Sequence, residues 1–178
     1  MSDRPLKFQS WLSPGIRPDV FFELAQHISR CLGRAVELEF SEHASGPEGN
    51  ENPFESGEVD LGWMCATAYV ELTDVELVGA AWVPRDPYSL GRPQYFSDLI
   101  LAESRPRQLT ELRGLRVGCN DPISLSGFHA LRIALYQLGY EIEDFVDVVF
   151  TGGHLQSLAA LDEERVDAIV IDSVTRLV

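Results

Sequence analysis

The chain has 178 residues, of which 45% are hydrophobic, and its formal net charge is −14 at pH 7. This length suits one large or two small domains, and the hydrophobic fraction suffices for a packed core. So acidic a surface argues against nucleic acid and anionic membranes as partners. A small anion stays compatible, because a local group of backbone N–H donors can dominate its site.

Predicted elements in the first part of the chain alternate between strands and helices. Pro18 opens a helix at a position where proline is tolerated, and Gly33 ends it. Residues 35–40 alternate apolar and acidic side chains, which predicts a strand with one solvent face. Further strands are predicted over 6–11, 59–63, 75–82 and 95–102, a short helix over 65–72, and loops over 41–57 and 84–94.

The second part repeats this alternation more clearly. A short apolar strand follows Gly114 and runs into the polar turn Asn-Asp-Pro-Ile-Ser, after which a helical pattern extends to Gly139. Strands are predicted over 145–150 and 166–172, with a helix from about His154 to Leu161 between them. This βαβ order predicts an α/β protein with a mainly parallel sheet, whose ligands lie beyond the carboxyl ends of the strands.

The turn between the first of these strands and its helix predicts an anion site. Ser124, Ser126 and Gly127 stand where a helix begins, and the first helical turn carries unpaired N–H groups and the positive end of the helix dipole. Two hydroxyls and a glycine there suit an oxyanion. The alternative is that serine only caps the helix and that Asp121-Pro122 only forms a turn.

Cysteines and histidines give no sign of a metal site. Cys31, Cys65 and Cys119 lack CxxC spacing and lie in apolar stretches, so we expect buried free thiols. The four histidines are scattered, and we expect neither a metal nor a cofactor. No apolar signal segment or membrane-length run is present, which predicts a cytoplasmic protein as written, or a periplasmic one if a signal was removed.

A domain boundary is predicted near residues 100–106, which gives a first lobe over 1–103 and a second over 104–178. Both halves show the same organisation, with Glu58-Val-Asp60 before a strand in the first and Arg165-Val-Asp167 before a strand in the second.

Several segments, in order, resemble the phosphate/phosphite/phosphonate-type substrate-binding proteins of ABC importers. The resemblance covers about residues 6–175 and rests on a set of short motifs. They are Ser56-Gly-Glu-Val-Asp60-Leu-Gly-Trp63, Gly114-Leu-Arg-Val-Gly, Asp121-Pro, Ser124-x-Ser126-Gly127, Phe150-Thr-Gly-Gly-His154 and Arg165-Val-Asp167-Ala.

The resemblance implies a fold and a set of site residues. It implies two periplasmic-binding-protein-like lobes around a cleft, with mainly parallel sheets and flanking helices. Ser124 and Ser126 would hold the anionic head group and His154 would add a donor. Tyr95 would close over the ligand from the first lobe, and Asp172 would meet an ammonium or a phosphonate hydroxyl. The alternatives are an ordinary strand aromatic for Tyr95, a helix-start residue for His154 and a turn former for Asp172.

The chain departs from the family pattern in four respects, of which the absence of a signal peptide is one. Leu125 stands where a hydroxyl residue is usual, the stretch 44–52 replaces an expected helix, and the chain stops at Val178 where the family continues. The last departure predicts an uncovered apolar face and a homo-oligomer.

Two functions remain open at the level of sequence. The first is binding of a small oxyanion as a substrate-binding or sensor protein, with ABC permease components as partners. The alternative is a cytoplasmic enzyme on the same fold that acts on a small carboxylated metabolite, with His154 and Asp172 as its candidate acid and base.

Overall fold

The computed structural model describes residues 4–12, 16–41, 45–47, 52–79, 88–102 and 108–175. The chain forms two compact units, Met1–Leu77 and Val78–Val178. Both are α/β, and each contains its own sheet, which confirms the predicted fold class. Within the described ranges, no helix has the length and apolar character needed to cross a membrane.

The first unit contains a three-stranded parallel sheet in the order β2-β1-β3. The chain passes through β1 (Leu6–Ser10), α1 (Pro18–Leu32), β2 (Val36–Phe40), β3 (Leu61–Trp63) and α2 (Ala66–Glu71). As predicted, α1 begins at Pro18 and ends at Gly33, whose φ of 60° is left-handed and therefore suits glycine.

Aromatic side chains fill the interior of the first unit. Phe21 on α1 is buried and contacts the rings of Phe40 and Trp63, with centroid distances of 6.0 and 6.1 Å. Phe8 and Trp11, on and just after β1, are also buried. The Phe21 contacts pack α1 against β2 and β3.

The second unit contains a four-stranded sheet in the order β4-β7-β5-β6. Strands β5, β6 and β7 are parallel, and β4 runs antiparallel to β7. Its core includes Val117, Leu131, Leu135, Ile142 and Ile169, all almost fully buried. Its elements are β4 (Ser97–Leu101), a 3₁₀ turn (Leu109–Leu112), β5 (Arg116–Cys119), a π-helical turn (Leu125–His129), α3 (Ala130–Gln137), α4 (Ile142–Phe145), β6 (Asp147–Phe150), α5 (His154–Asp162) and β7 (Ala168–Asp172).

The two Val-Asp segments play the same structural role in their units. Asp60 accepts a hydrogen bond from the backbone N–H of Lys7 in β1 at 2.9 Å, and Asp167 accepts one from Arg116 in β5 at 2.8 Å. Arg4 also donates to Asp60, as the Arg116 side chain does to Asp167. These guanidinium hydrogen bonds, helped by the backbone donors, hold the pKa of both carboxyl groups below the usual range.

Strand β4 lies in a different unit from the one predicted. The strand expected over 95–102 is present as Ser97–Leu101, but it pairs with β7 in the second sheet. The chain divides between Leu77 and Val78, earlier than the predicted boundary at 103/104, so Tyr95 belongs to the second unit. Strand membership depends here on a partner about 70 residues further along the chain, and local sequence does not specify that partner.

Two further local predictions were wrong. Residues 75–79 form no strand, and the remainder of the strand predicted over 75–82 lies outside the described residues. Cys31 is exposed, whereas Cys65 and Cys119 are buried as predicted. Cys31 lies on the outer side of the amphipathic helix α1, whose inner side carries the buried Phe21 and Ala25.

Candidate functional site

Polar residues collect at the carboxyl ends of the three parallel strands of the second unit. Asn120 follows β5, His154 begins the helix after β6, and Asp172 ends β7. All three are buried, with exposed fractions of 4% for Asn120 and 7% for each of the other two. Parallel strands place their carboxyl ends on one edge of a sheet, where ligands bind in open α/β folds.

The turn after β5 is organised by its own polar groups. The Ser124 hydroxyl accepts a hydrogen bond from the Gly127 N–H at 3.1 Å, so Ser124 caps the helix. The N–H of His129 donates to the Ser124 carbonyl at 3.0 Å, which closes the wide π-helical turn Leu125–His129. Such turns occur often at functional sites. Ser124 therefore caps the helix, which is the alternative that the sequence left open, and the Gly127 N–H already has a protein acceptor.

Ser126 is buried in the same turn and is held by strand β4. Its carbonyl accepts a hydrogen bond from the Ser97 hydroxyl at 2.6 Å. Ser97 is the register partner of Asp172 in the β4–β7 pair. One serine thus connects the turn after β5 with the end of β7. Sequence reasoning missed Ser97, because a serine at the start of a strand carries no motif.

His154 and Asp172 form a buried pair. Nε2 of His154 lies 2.9 Å from Oδ2 of Asp172, and the other carboxylate oxygen accepts from the Thr175 N–H at 2.6 Å. Burial alone would raise the pKa of Asp172, but the His154 hydrogen bond, its charge and the Thr175 N–H together hold it below the usual value. Both carboxylate oxygens have protein partners, so Asp172 orients His154 within the unit.

Gly127 brings Asn120 and His154 together. A Cβ atom built on Gly127 would lie 1.8 Å from Oδ1 of Asn120 and 2.9 Å from Cε1 of His154. Only glycine permits so close an approach. The Asn120 side chain donates from Nδ2 to Asp121 at 2.8 Å, which directs its oxygen toward Gly127. Sequence reasoning missed Asn120, although its position directly after a buried strand was a usable signal.

Tyr95 lies at the same edge of the second sheet. It is 45% exposed and precedes Phe96, whose N–H donates to the Ser173 hydroxyl at 2.9 Å just beyond the end of β7. Of the six predicted site residues, the structure therefore brings Ser124, Ser126, Gly127, His154 and Asp172 into one connected set. Tyr95 adjoins that set from the second unit, and its expected closure over a ligand stays a prediction.

The thiol of Cys119, the last residue of β5, has low reactivity because it stays protonated. Burial, and then the charge of Asp121, raise the pKa of its thiol to about 12. No group of three or more His, Cys, Asp or Glu residues suited to a metal ion occurs among the residues described. The polar groups at this edge are hydroxyl, carboxamide, imidazole, carboxylate and backbone N–H groups.

A protein-family model matches most of the chain. Residues 12–177 match the model described as "ABC transporter, phosphonate, periplasmic substrate-binding protein". The chain belongs to this family. Among curated proteins, the comparison finds no match.

Solved structures share the fold at low sequence identity. PhnD1 from Prochlorococcus marinus in complex with methylphosphonate matches with a TM-score of 0.63 and 17% identity, over 96% of this chain and 64% of that one. A binding protein component of an ABC phosphonate transporter from Pseudomonas aeruginosa gives 0.62 and 17%, over 97% and 58%. The aliphatic sulphonate binding protein SsuA from Escherichia coli gives 0.58 and 18%, over 98% and 56%.

The chain therefore spans between about half and two thirds of the length of these phosphonate- and sulphonate-binding structures. The family is one of binding proteins, and the comparisons give no support to the enzyme alternative.

Proposed function

We propose that this chain binds a small oxyanion of the phosphate, phosphite or phosphonate kind, as a substrate-binding or sensor protein related to ABC import. The ligand would lie at the carboxyl ends of β5, β6 and β7. The observation that carries the proposal is the convergence of Ser126, Asn120 and the His154–Asp172 pair on the Gly127 turn.

The chemistry of this edge suits an anion better than a cation. The turn at Leu125–His129 starts a continuous helical segment with α3, and α5 begins at His154, so two helices direct their positive ends toward the edge. The one buried carboxylate there, Asp172, is already paired with His154 and with the Thr175 N–H. Membership of a phosphonate-binding family agrees with this preference.

Binding can be tested by a thermal-shift screen followed by calorimetry. The screen compares phosphate, phosphite and methylphosphonate with acetate and succinate, and any hit is also checked for turnover. Stabilisation by the phosphorus oxyanions and not by the carboxylates is the expected result. Stabilisation by carboxylates alone would contradict the proposal.

A single substitution locates the site. Ser126→Ala should weaken binding by about 1.5–3 kcal/mol, the usual value of a hydrogen bond to a charged group, which is roughly tenfold or more in affinity. Ser56→Ala is the matched control, because Ser56 is exposed in the first unit and should leave the affinity unchanged. Equal affinities for the two variants would place the ligand elsewhere.

Other features of the function follow from family membership and stay proposals. ABC permease components would be the protein partners, and the periplasm would be the location if the protein is a transport component. Binding in a cleft between two lobes, with Tyr95 closing over the ligand, and homo-oligomerisation are further predictions that scattering and a ligand-bound structure would test.

A further inference from the structure

Two buried polar atoms lie at the Gly127 turn without hydrogen-bond partners. In the part of the chain that the structure describes, no group donates to Oδ1 of Asn120 or bonds to Nδ1 of His154. Asn120 is 4% exposed and His154 is 7% exposed, so water does not readily satisfy these atoms. Because proteins leave few buried polar atoms unpaired, such atoms call for a specific explanation.

The surrounding hydrogen bonds fix what each atom can do. Nδ2 of Asn120 donates to Oδ2 of Asp121, so the carboxamide oxygen, which can only accept, faces Gly127. The Asp172 carboxylate accepts from Nε2 of His154, which fixes the orientation of the imidazole ring. The unpaired Asn120 oxygen thus calls for a hydrogen-bond donor.

We propose that Asn120 is the residue by which this site distinguishes oxyanions that retain an acidic proton from those that do not. A phosphonate or phosphite monoanion at mildly acidic pH has such a P–O–H group, as hydrogenphosphate has near neutral pH, whereas a sulfonate or a sulfate has none. The inference rests on the proposed function and names the ligand class of the same site.

Complementary hydrogen bonds give the selectivity its physical basis. The deprotonated oxygens of a phosphonate monoanion accept from the Ser126 hydroxyl, while its P–O–H donates to Asn120. A sulfonate of the same shape places an oxygen against the carboxamide oxygen, so two acceptors face each other and neither is satisfied. Sites built around a hydrogen bond reject analogues that lack the matching group far more strongly than apolar pockets reject a methylene.

Entry of the ligand requires a local adjustment. Oδ1 of Asn120 and Nδ1 of His154 are both covered by neighbouring protein atoms. The donor of the ligand reaches the Asn120 oxygen when the carboxamide turns away from Gly127, against which it packs in this structure. Ser126 contacts the ligand in either case, so it contributes affinity and Asn120 contributes selectivity.

Methylphosphonate and methanesulfonate form the matched pair of probes, because they share shape and differ in the acidic proton. Their dissociation constants are measured by calorimetry with the whole chain, at a mildly acidic pH where the methylphosphonate monoanion predominates. The wild-type protein should bind methylphosphonate about tenfold or more tightly than methanesulfonate.

Variants assign the preference to Asn120. In Asn120→Leu, which removes the acceptor at similar size, the two affinities should fall within about threefold of each other. Asn120→Ala removes the same acceptor in a smaller side chain and should narrow the difference in the same way, so it serves where the leucine variant does not fold. Ser126→Ala should weaken both ligands in parallel.

The outcomes separate this inference from the proposed function. Equal binding of the two probes by the wild-type protein, or a preference for methanesulfonate, would overturn the selectivity and leave oxyanion binding intact. An unchanged preference in Asn120→Leu would overturn the role of Asn120. If neither probe nor phosphate or phosphite binds, the proposed function itself fails.

Discussion

Replacement of Asp172 by asparagine tests whether the buried His154–Asp172 pair holds the second unit together. The carboxylate accepts two hydrogen bonds, one from Nε2 of His154 at 2.9 Å and one from the Thr175 N–H at 2.6 Å. The side-chain oxygen of an asparagine can still accept from the Thr175 N–H, but it lacks the negative charge that Asp172 presents to His154. The free energy of unfolding should therefore fall by about 1.5–3 kcal/mol. Alanine, which removes both bonds and leaves His154 unpaired, should cost about 3–5 kcal/mol.

The pair also predicts how stability depends on pH. The pKa of Asp172 is lowered by folding, so its contribution is fully present above the unfolded value of about 3.9 and is lost as pH falls through the folded value. The difference between the wild-type protein and Asp172→Asn should therefore shrink as the pH falls below about 3.9.

Urea denaturation followed by far-ultraviolet circular dichroism measures these differences. Tryptophan fluorescence is less suitable, because all three tryptophans precede residue 83 and β4 to β7 contain none. Glu163→Gln is the control, since its ion pair with Arg165 is more than half exposed and should contribute little. If Asp172→Asn unfolds at the same urea concentration as the control, the carboxylate does not hold the unit as the structure indicates.

Two further predictions concern Gly127 and the cysteines. Gly127→Ala should lower the free energy of unfolding by about 1–3 kcal/mol and weaken oxyanion binding, because its Cβ would lie 1.8 Å from Oδ1 of Asn120; thermal melts and calorimetry measure both effects, and wild-type behaviour would refute the close approach. A maleimide should label the exposed Cys31 of the native protein and spare Cys119, whose buried thiol has a pKa of about 12; labelling of Cys119 as fast as Cys31, seen by mass spectrometry, would contradict its burial.

The sequence predicted the positions of most elements in both units, because these elements are strongly patterned and bounded by turn residues. The apolar run at Val166–Asp172 and the Ser124 turn each have a local signature, and both appear where expected. The membership of β4 was not predictable in the same way. Its pairing with β7 is a contact between distant segments, and an apolar strand carries no label for its partner.

Residue roles were harder to predict than residue positions. Asp172 was expected to meet the ligand, because its carboxylate ends a strand at the ligand edge. The structure gives both of its oxygens to protein donors, which the spacing of residues along the chain does not reveal. From the sequence, Asn120 was only one residue of a polar turn. Its importance arises because Gly127, seven residues later, has no Cβ and so leaves room for the Asn120 oxygen.

Ser97 shows that the site depends on strand β4 as well as on the serine turn after β5. Its hydroxyl holds the Ser126 carbonyl, while its backbone pairs with Asp172, which in turn orients His154. A movement of β4 relative to β5 would therefore alter the serine turn and the imidazole together. Because the antiparallel strand joins groups that arrive on separate parallel strands, the geometry that an oxyanion meets is set jointly by β4, β5 and β7. No single motif in the sequence could encode it.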